Sequence, residues 1–208
     1  MPARSVLTNV DTATVTLTGD TPLVMDSIEH SDPIDPIARQ IKEITDKKDQ
    51  MTDEDRRRKD QLAYLAGLYL TDGRLVIPWA LVRRALATGA FYIGGTSLSG
   101  KVDKGVSCLM IEAPLQYDGP EPGKLFEDDR FCLRKMVNKN PTGKKAMVAT
   151  IRPQFPEWTA AFTVSIFNDV VGFSDFTRAI QATGKTVGIG NARKLGYGRF
   201  SVQVTKLS

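Results

Sequence analysis

The sequence predicts an α+β fold with an antiparallel sheet, and three of its stretches support this prediction. Residues 12–18 and 160–167 alternate apolar and polar side chains, which is the period of a strand with one buried face. The end of the chain runs in the order strand, helix, glycine-rich loop and strand. This order suits a ferredoxin-like, or RRM-like, sheet. We therefore expect one domain over residues 1–208, with a mainly helical insertion at about 26–105.

The first part of the insertion contains a proline-rich loop and two helical patterns. The loop at 26–36 has two X-Pro steps that oppose helix, and it carries His30, the only histidine of the chain. Apolar residues then recur at helical spacing over 37–49 and 56–70. Thr52 precedes a run of acids, which is typical of a helix N-terminus.

The second part of the insertion predicts a short helix followed by a loop. Residues 79–88 have an apolar face for the core, with Arg83 and Arg84 on the outside. The glycine and serine content of residues 89–105 predicts a loop, and its lysines make it a candidate contact region. Residues 106–112 are expected to form a buried strand.

A basic β-hairpin is predicted at about 130–152, with its tip at 138–145. Its lysine-rich tip is equally compatible with contact to a phosphate backbone or a neighbouring subunit and with an ordinary exposed turn. The aromatic residues Phe155 and Trp158 follow, and core packing is favoured for them over stacking on bases. The candidate binding residues of the hairpin are Arg134, Lys135, Lys139, Lys144, Lys145 and Arg152.

The charge is distributed unevenly along the chain. The net charge is +4, but residues 1–75 hold 10 basic and 14 acidic side chains, whereas residues 76–208 hold 18 and 10. The windows 130–156 and 176–208 contain no acid at all. Such single-sign stretches favour a polyanionic partner such as a nucleic acid, the alternative being a solvated basic face.

Several classes of protein are disfavoured by the sequence. Apolar runs stay short of the roughly 18 residues of a membrane span, and the first residues lack the apolar core of a signal peptide. Cys108 and Cys132 lie far apart, which predicts two free, buried thiols in a reducing cytoplasm. One histidine and two cysteines argue against a zinc site, so no metal and no cofactor is expected.

The glycine-rich loop carries the strongest functional signal. Two Gly-X-Gly pairs are separated by five residues, two of them basic. Glycines permit positive φ, and consecutive amides can then surround an anion while basic side chains bind phosphates. The alternative is a tight connection with surface charges. The glycines and cations of this loop are Gly188, Gly190, Gly196, Gly198, Arg193, Lys194 and Arg199.

The position of this loop excludes two common nucleotide-binding motifs. A dinucleotide-binding loop follows a strand and opens a helix, whereas this loop follows a predicted helix and opens a strand. A mononucleotide P-loop ends in Gly-Lys-Ser or Gly-Lys-Thr, and Gly198-Arg199-Phe200 does not match that ending.

The loop resembles the C-terminal motif of the RAMP superfamily, the RNA-binding proteins of CRISPR systems. That motif is Gly-hydrophobic-Gly, five residues with at least one Lys or Arg, and again Gly-hydrophobic-Gly; residues 188–198 match each defined position. The resemblance implies a ferredoxin-like fold and RNA as the partner. It implies either a backbone subunit that coats guide RNA or a repeat-processing endoribonuclease.

The layout of the whole chain also resembles a group of phage-encoded proteins. The similarity rests on Asp32-Pro33, on the segment Arg152–Trp158 and on the ending Tyr197-Gly198-Arg199-Phe200. This second resemblance implies the cytoplasm of a bacterial host cell as the location.

His30 is the weak catalytic candidate. Its neighbours Glu29, Asp32 and Asp35 favour the imidazolium but repel a phosphate, which disfavours RNA cleavage at this residue. The favoured hypothesis is a non-catalytic RNA-binding protein that assembles along the strand as a homo-oligomer or filament. The alternatives are a metal-free endoribonuclease using His30, a phage single-stranded DNA-binding protein and a structural phage subunit.

Overall fold

The chain forms two compact units in a computed structural model that describes residues 9–138 and 147–207. The first unit comprises Met1–Leu23, Val76–Asp118 and Glu157–Ser208, and the second comprises Val24–Leu75 and Gly119–Pro156. Both contain helices and antiparallel strands, so the predicted α+β class is confirmed.

Strands and helices are interspersed along the chain. The strands are β1 (Val10–Gly19), β2 (Leu23–Val24), β3 (Leu70–Thr71), β4 (Arg74–Pro78), β5 (Val106–Cys108), β6 (Glu112–Pro114), β7 (Cys132–Asn138), β8 (Met147–Phe155), β9 (Thr159–Phe167) and β10 (Phe200–Leu207). The α-helices are α1 (Pro36–Asp46), α2 (Asp53–Ala66), α3 (Trp79–Gly105) and α4 (Phe173–Thr186). Short 3₁₀ turns occur at Glu29–Ser31, Lys48–Gln50, Pro122–Glu127, Asp129–Phe131 and Arg193–Leu195.

The main sheet of the first unit has the order β10-β1-β9-β5 and is antiparallel throughout. Val15 of β1 lies opposite Val204 of β10 and Phe162 of β9. Val15 and Phe162 are both fully buried, because alternate residues of these strands face the core. The unit runs β1, α3, β5, β9, α4, β10 around this sheet, which is the ferredoxin-like arrangement that the sequence predicts.

Helix α3 corrects the sequence-based expectation for residues 89–105. The predicted loop is helical, and the helix bends at Gly95, where φ is 64°. Gly89 does not end the helix; it lies where α3 packs against α4, and a Cβ at this position would be 2.1 Å from Thr183 Oγ1. The glycine therefore serves close helix packing rather than chain reversal.

The segment after α3 also differs from the expected buried strand. Residues 106–112 divide between β5 and the start of β6. Leu109 and Ile111, which lie between the two strands, are 63% and 88% exposed. The sequence pattern is apolar here, but the strands are too short to bury it.

The second unit is built on the β7–β8 hairpin and α2. Leu133 pairs with Arg152 across the hairpin, and Tyr64 of α2 donates a hydrogen bond from its hydroxyl to the Phe131 carbonyl. The Phe131 and Phe155 rings meet edge to face, with 5.8 Å between their centroids, which is a favourable geometry for packed aromatic rings. Phe155 is fully buried, as favoured from the sequence.

The predicted helical insertion is divided between the two units. Helices α1 and α2 lie in the second unit, whereas α3, the rest of the predicted insertion, lies in the first.

Both cysteines are free thiols; Cys132 is buried, but Cys108 is only half-buried. Among the described residues, no helix combines the length and the apolar character that a membrane crossing requires.

Candidate nucleic-acid interface

The two Gly-X-Gly pairs of the loop are bonded to each other. Ile189 donates its backbone N–H to the Gly198 carbonyl at 2.9 Å, and a Cβ on Gly198 would lie 1.9 Å from the Ile189 carbonyl oxygen. Gly188, Gly190, Gly196 and Gly198 all have positive φ, between 68° and 90°. The spacing of the motif therefore creates a doubled-back loop that only glycine permits.

The turn after β1 holds this loop in place. Thr21 donates its hydroxyl to the Gly196 carbonyl at 2.9 Å and accepts the Arg199 N–H on the same oxygen at 2.9 Å. Gly198 donates its N–H to the Pro22 carbonyl at 2.8 Å. Trp158 fixes the turn in return, since its indole N–H donates to the Thr21 carbonyl at 3.0 Å.

These bonds revise the expected role of the loop amides. The amides of Gly188, Gly196 and Gly198 donate to the carbonyls of Thr183, Arg193 and Pro22 respectively, so they are occupied within the protein. At these three glycines the amides hold the loop together. Binding of an anion at these three positions would therefore fall to the basic side chains that the loop carries.

Those side chains line a cavity of about 340 Å³ in the first unit. Arg193, Lys194 and Arg199 come from the loop, and Arg84 comes from α3. No carboxylate lies among the described residues that line it. The remaining lining residues are Thr88, Tyr92, Thr186 and Val187.

Arg199 provides the most specific feature of this cavity. Its Nη1 atom is buried, and no described residue accepts a hydrogen bond from it. A buried guanidinium nitrogen without an acceptor is costly, and an anion can supply one if the Arg199 side chain turns its Nη1 toward the cavity. Arg199 is therefore a lining residue with an unmet demand for a hydrogen-bond acceptor among the described residues.

Helix α3 contributes residues that sequence reasoning missed. These residues are Arg84, Thr88 and Tyr92, each four positions after the one before. They lie on one face of α3 because the helix continues through Gly89. The neighbouring Arg83 instead pairs with Asp103 at 3.0 Å. The i, i+4, i+8 spacing is visible in the sequence, and it becomes informative only if the helix is extended past Gly89.

Two of the hairpin candidates, Arg134 and Arg152, pair with carboxylates of the second unit. Arg134 pairs with Asp60 at 3.3 Å, and Arg152 pairs with Asp26 at 3.0 Å. Lys135 is half-buried on β7. The tip residues Lys139, Lys144 and Lys145 lie outside the described residues.

His30 occupies a site at the start of α1. Its Nδ1 lies 2.9 Å from Asp35 Oδ2, while Asp35 Oδ1 accepts the N–H groups of Ile37 and Ala38 as the N-cap of the helix. The hydrogen bond with His30 is the main cause that holds the pKa of Asp35 below its usual value. This geometry gives His30 a role in positioning the Asp35 cap of α1, and its catalytic role stays a hypothesis.

Comparison with known proteins identifies a shared fold. No protein-family model and no curated protein sequence matches the chain. The cryo-EM structure of the type III-B Cmr-beta bound to cognate target RNA contains a chain that is 11% identical, with a TM-score of 0.59. That match covers 96% of this chain and 61% of the other, so this chain spans about three fifths of its length. The crystal structure of Cmr6 from Pyrococcus furiosus is 9% identical, with a TM-score of 0.42, over 98% of this chain and 100% of that one.

Proposed function

We propose that this protein binds single-stranded nucleic acid, with RNA as the natural partner, and does not cleave it. The observation that carries the proposal is the cavity beside the glycine-rich loop. It gathers Arg84, Arg193, Lys194 and Arg199, and it leaves the buried Arg199 Nη1 without an acceptor among the described residues. Guanidinium groups bind phosphate oxygens through strong, charge-assisted hydrogen bonds.

The shape and lining of the cavity favour a single strand over a duplex. Its volume of about 340 Å³ is near the lower end of ligand sites and accommodates one nucleotide. The Tyr92 ring at its border is 62% exposed and offers a face on which an unpaired base can stack. A duplex would present its phosphates without a free base for this ring.

The fold comparison supports this proposal by analogy alone. The neighbour with the higher TM-score comes from a type III-B Cmr-beta structure that holds target RNA, and the glycine-rich motif of residues 188–198 resembles that of the RAMP superfamily. The two similarities are independent, because one rests on the backbone and the other on a short sequence.

The basic hairpin would provide a second contact to the strand. Its described cations Arg134 and Arg152 pair with carboxylates that are partly exposed, so a phosphate can compete for them at little cost. Lys135 and the tip lysines Lys139, Lys144 and Lys145 would extend this basic surface. This part of the proposal is tested separately by substitutions that neutralise the tip lysines, which should weaken the binding of RNA.

Copies of the chain would assemble side by side along the strand as a homo-oligomer. Leu109 and Ile111 supply an exposed apolar patch for contact with the next copy. Electron microscopy of the protein mixed with a long single-stranded RNA tests this arrangement. Filaments or rings that depend on the RNA are expected, and isolated particles would argue against assembly.

The binding itself is tested by a salt titration of a fluorescently labelled single-stranded RNA. If about four basic side chains of the protein each neutralise a phosphate along the strand, log K should fall with log salt at a slope of about −3. The RNA should remain intact on a gel in the presence of the wild type. A flat salt response, or absence of binding at low salt, would overturn the proposal, and cleavage abolished by His30→Gln would replace it with the nuclease.

A further inference from the structure

The cavity beside the glycine-rich loop is lined by two threonines whose hydroxyl protons are already used. Thr88 donates its Oγ1 hydroxyl to the Arg84 carbonyl at 3.1 Å, one turn earlier in α3. Thr186 donates its hydroxyl to the Ala182 carbonyl at 2.7 Å, one turn earlier in α4. A hydroxyl has a single proton and two lone pairs, so each of these oxygens offers only acceptor positions to the cavity.

Apart from the Tyr92 hydroxyl, which can donate or accept, the lining of the cavity has two kinds of hydrogen-bonding side chain. The basic side chains are donors and have no acceptor positions, whereas Thr88 and Thr186 are acceptors. A phosphodiester group has only acceptors and satisfies the first kind. It leaves the second kind to solvent, whereas a ligand that also carries a donor would satisfy both kinds.

Within a nucleic-acid strand, the sugar separates the possible ligands. Ribose carries a 2′-hydroxyl that can donate a hydrogen bond, and deoxyribose lacks it. Bases also carry N–H donors, but their kind and position differ from base to base (uracil has an imino N–H and no amino group), whereas the same 2′-hydroxyl is present at every position of an RNA strand. The acceptor pair thus suits the one donor that is independent of sequence.

We infer that Thr88 and Thr186 make this site specific for RNA because one or the other accepts the single hydrogen bond that the 2′-hydroxyl can donate, on the nucleotide whose phosphate binds Arg199. The inference rests on the proposed function and adds the residues that discriminate between the two kinds of strand. Thr88 and Thr186 are positioned by different helices, and the packing of α3 against α4 at Gly89 brings both to the same cavity.

The test uses three labelled strands of equal length with the same base: oligo-uridine, its 2′-deoxy analogue and its 2′-fluoro analogue. Fluorine at the 2′ position keeps an RNA-like sugar but cannot donate a hydrogen bond. We expect the wild type to bind the ribose strand about five-fold to ten-fold more tightly than either analogue, which is the size of one net hydrogen bond.

The variant Thr88→Val/Thr186→Val removes both acceptors while it keeps the shape of the side chains. It should bind all three strands with the affinity that the wild type has for the deoxy strand. Thr177→Val is the matched control, because Thr177 makes the same bond to the Phe173 carbonyl on α4, at 2.9 Å, but does not line the cavity. This control should keep the full preference for ribose.

The outcomes separate the inference from the proposed function. If the wild type binds the ribose and 2′-fluoro strands equally, or if the double variant keeps its preference for ribose, the inference is overturned and binding of nucleic acid stands. If the double variant binds all three strands more weakly than the wild type, and by the same factor, the threonines have only a structural role and the inference also fails. If the wild type binds none of the strands, the proposed function itself fails. The 2′-fluoro comparison needs only the wild type, so it decides the matter even if the double variant does not fold.

Discussion

The backbone N–H of Ile189 donates a hydrogen bond of 2.9 Å to the carbonyl oxygen of Gly198, which joins the two Gly-X-Gly pairs of the loop. The five intervening residues include a short 3₁₀ turn that carries Arg193 and Lys194. The glycines and the cations therefore have separate tasks. The former close the loop, and the latter line the cavity that we propose as the binding site.

Closure of the loop should depend more strongly on Gly198 than on Gly196. In Gly198→Ala the new Cβ would lie 1.9 Å from the Ile189 carbonyl oxygen at a φ of 68°, and we expect a loss of about 2–5 kcal/mol in the free energy of unfolding. Gly196 also has positive φ, but a Cβ there meets no described atom within 4 Å, so Gly196→Ala should cost only about 1 kcal/mol. Urea denaturation measures both, and equal losses would contradict the packing described.

The close packing of α3 against α4 predicts opposite effects on stability for alanine substitutions at two glycines of α3. Gly89→Ala should destabilise the protein by about 1–3 kcal/mol, because its Cβ would lie 2.7 Å from Thr183 Cα. A Cβ on Gly100, also in α3, meets no described atom within 4 Å, so Gly100→Ala should stabilise by up to about 1 kcal/mol through helix propensity. The unfolding temperatures of the two variants distinguish these effects. A Gly89→Ala variant that is more stable than the wild type would contradict the close packing of the two helices.

The sheet can be predicted from the sequence because its strands alternate strictly. Residues 12–18 and 160–167 form parts of β1 and β9, and Phe200 begins β10 directly after the loop. Such a pattern depends only on which side of each strand faces the core. The division into two units cannot be predicted in the same way, since it depends on contacts between segments that are distant in the chain.

The candidate site is predictable only in part. The loop cations Arg193, Lys194 and Arg199 are recognisable from their spacing, and all three line the cavity. The sequence pattern places Arg84 on the solvent face of a short helix, because Gly89 is a local signal for a helix end. The signal is misleading at this position, since Thr183 of the other helix occupies the space that a side chain at Gly89 would need.

Base stacking should depend on Tyr92. Its ring is 62% exposed, so Tyr92→Ala should leave the unfolding temperature nearly unchanged while it weakens RNA binding. Loss of one stacked base corresponds to about 1–3 kcal/mol, or roughly five-fold to more than 100-fold in affinity. Because the Phe91 ring packs edge to face on Tyr92, with 6.3 Å between the centroids, the control is Tyr92→Phe, which keeps the stacking ring. Similar effects of the two substitutions would exclude stacking at Tyr92.

The stability of the protein should fall in acid. Hydrogen bonds from basic side chains hold the pKa of several carboxyl groups below the usual value; these groups are Asp11, Asp35, Asp55 and Asp128. Because their folded-state pKa is lowered, they contribute stability above the unfolded value of about 3.9, and this contribution is lost as the pH falls through the folded-state values. Unfolding temperatures recorded from neutral to acidic pH should therefore decrease below about pH 4.

A carboxyl variant checks the origin of this pH dependence. Asp55→Asn removes a group whose pKa is lowered mainly by a hydrogen bond from Lys47, and which also caps α2 together with Thr52. The variant should be less stable than the wild type at neutral pH and should show a smaller decrease in acid. An unchanged decrease would show that other groups cause it.

The central claim is tested most directly by two double variants that remove the same charge from the same unit. Arg84→Gln/Arg193→Gln neutralises two cations of the cavity, whereas Arg83→Gln/Arg178→Gln neutralises two that pair with Asp103 and Asp175 instead. Both are measured by titration of a labelled single-stranded RNA at fixed salt. We predict that the cavity variant loses at least about ten-fold in affinity, since hydrogen bonds to charged groups contribute roughly 1.5–3 kcal/mol each, and that the control loses about three-fold or less. Equal losses in the two variants would mean that net charge alone attracts the strand, and they would contradict the cavity as the binding site.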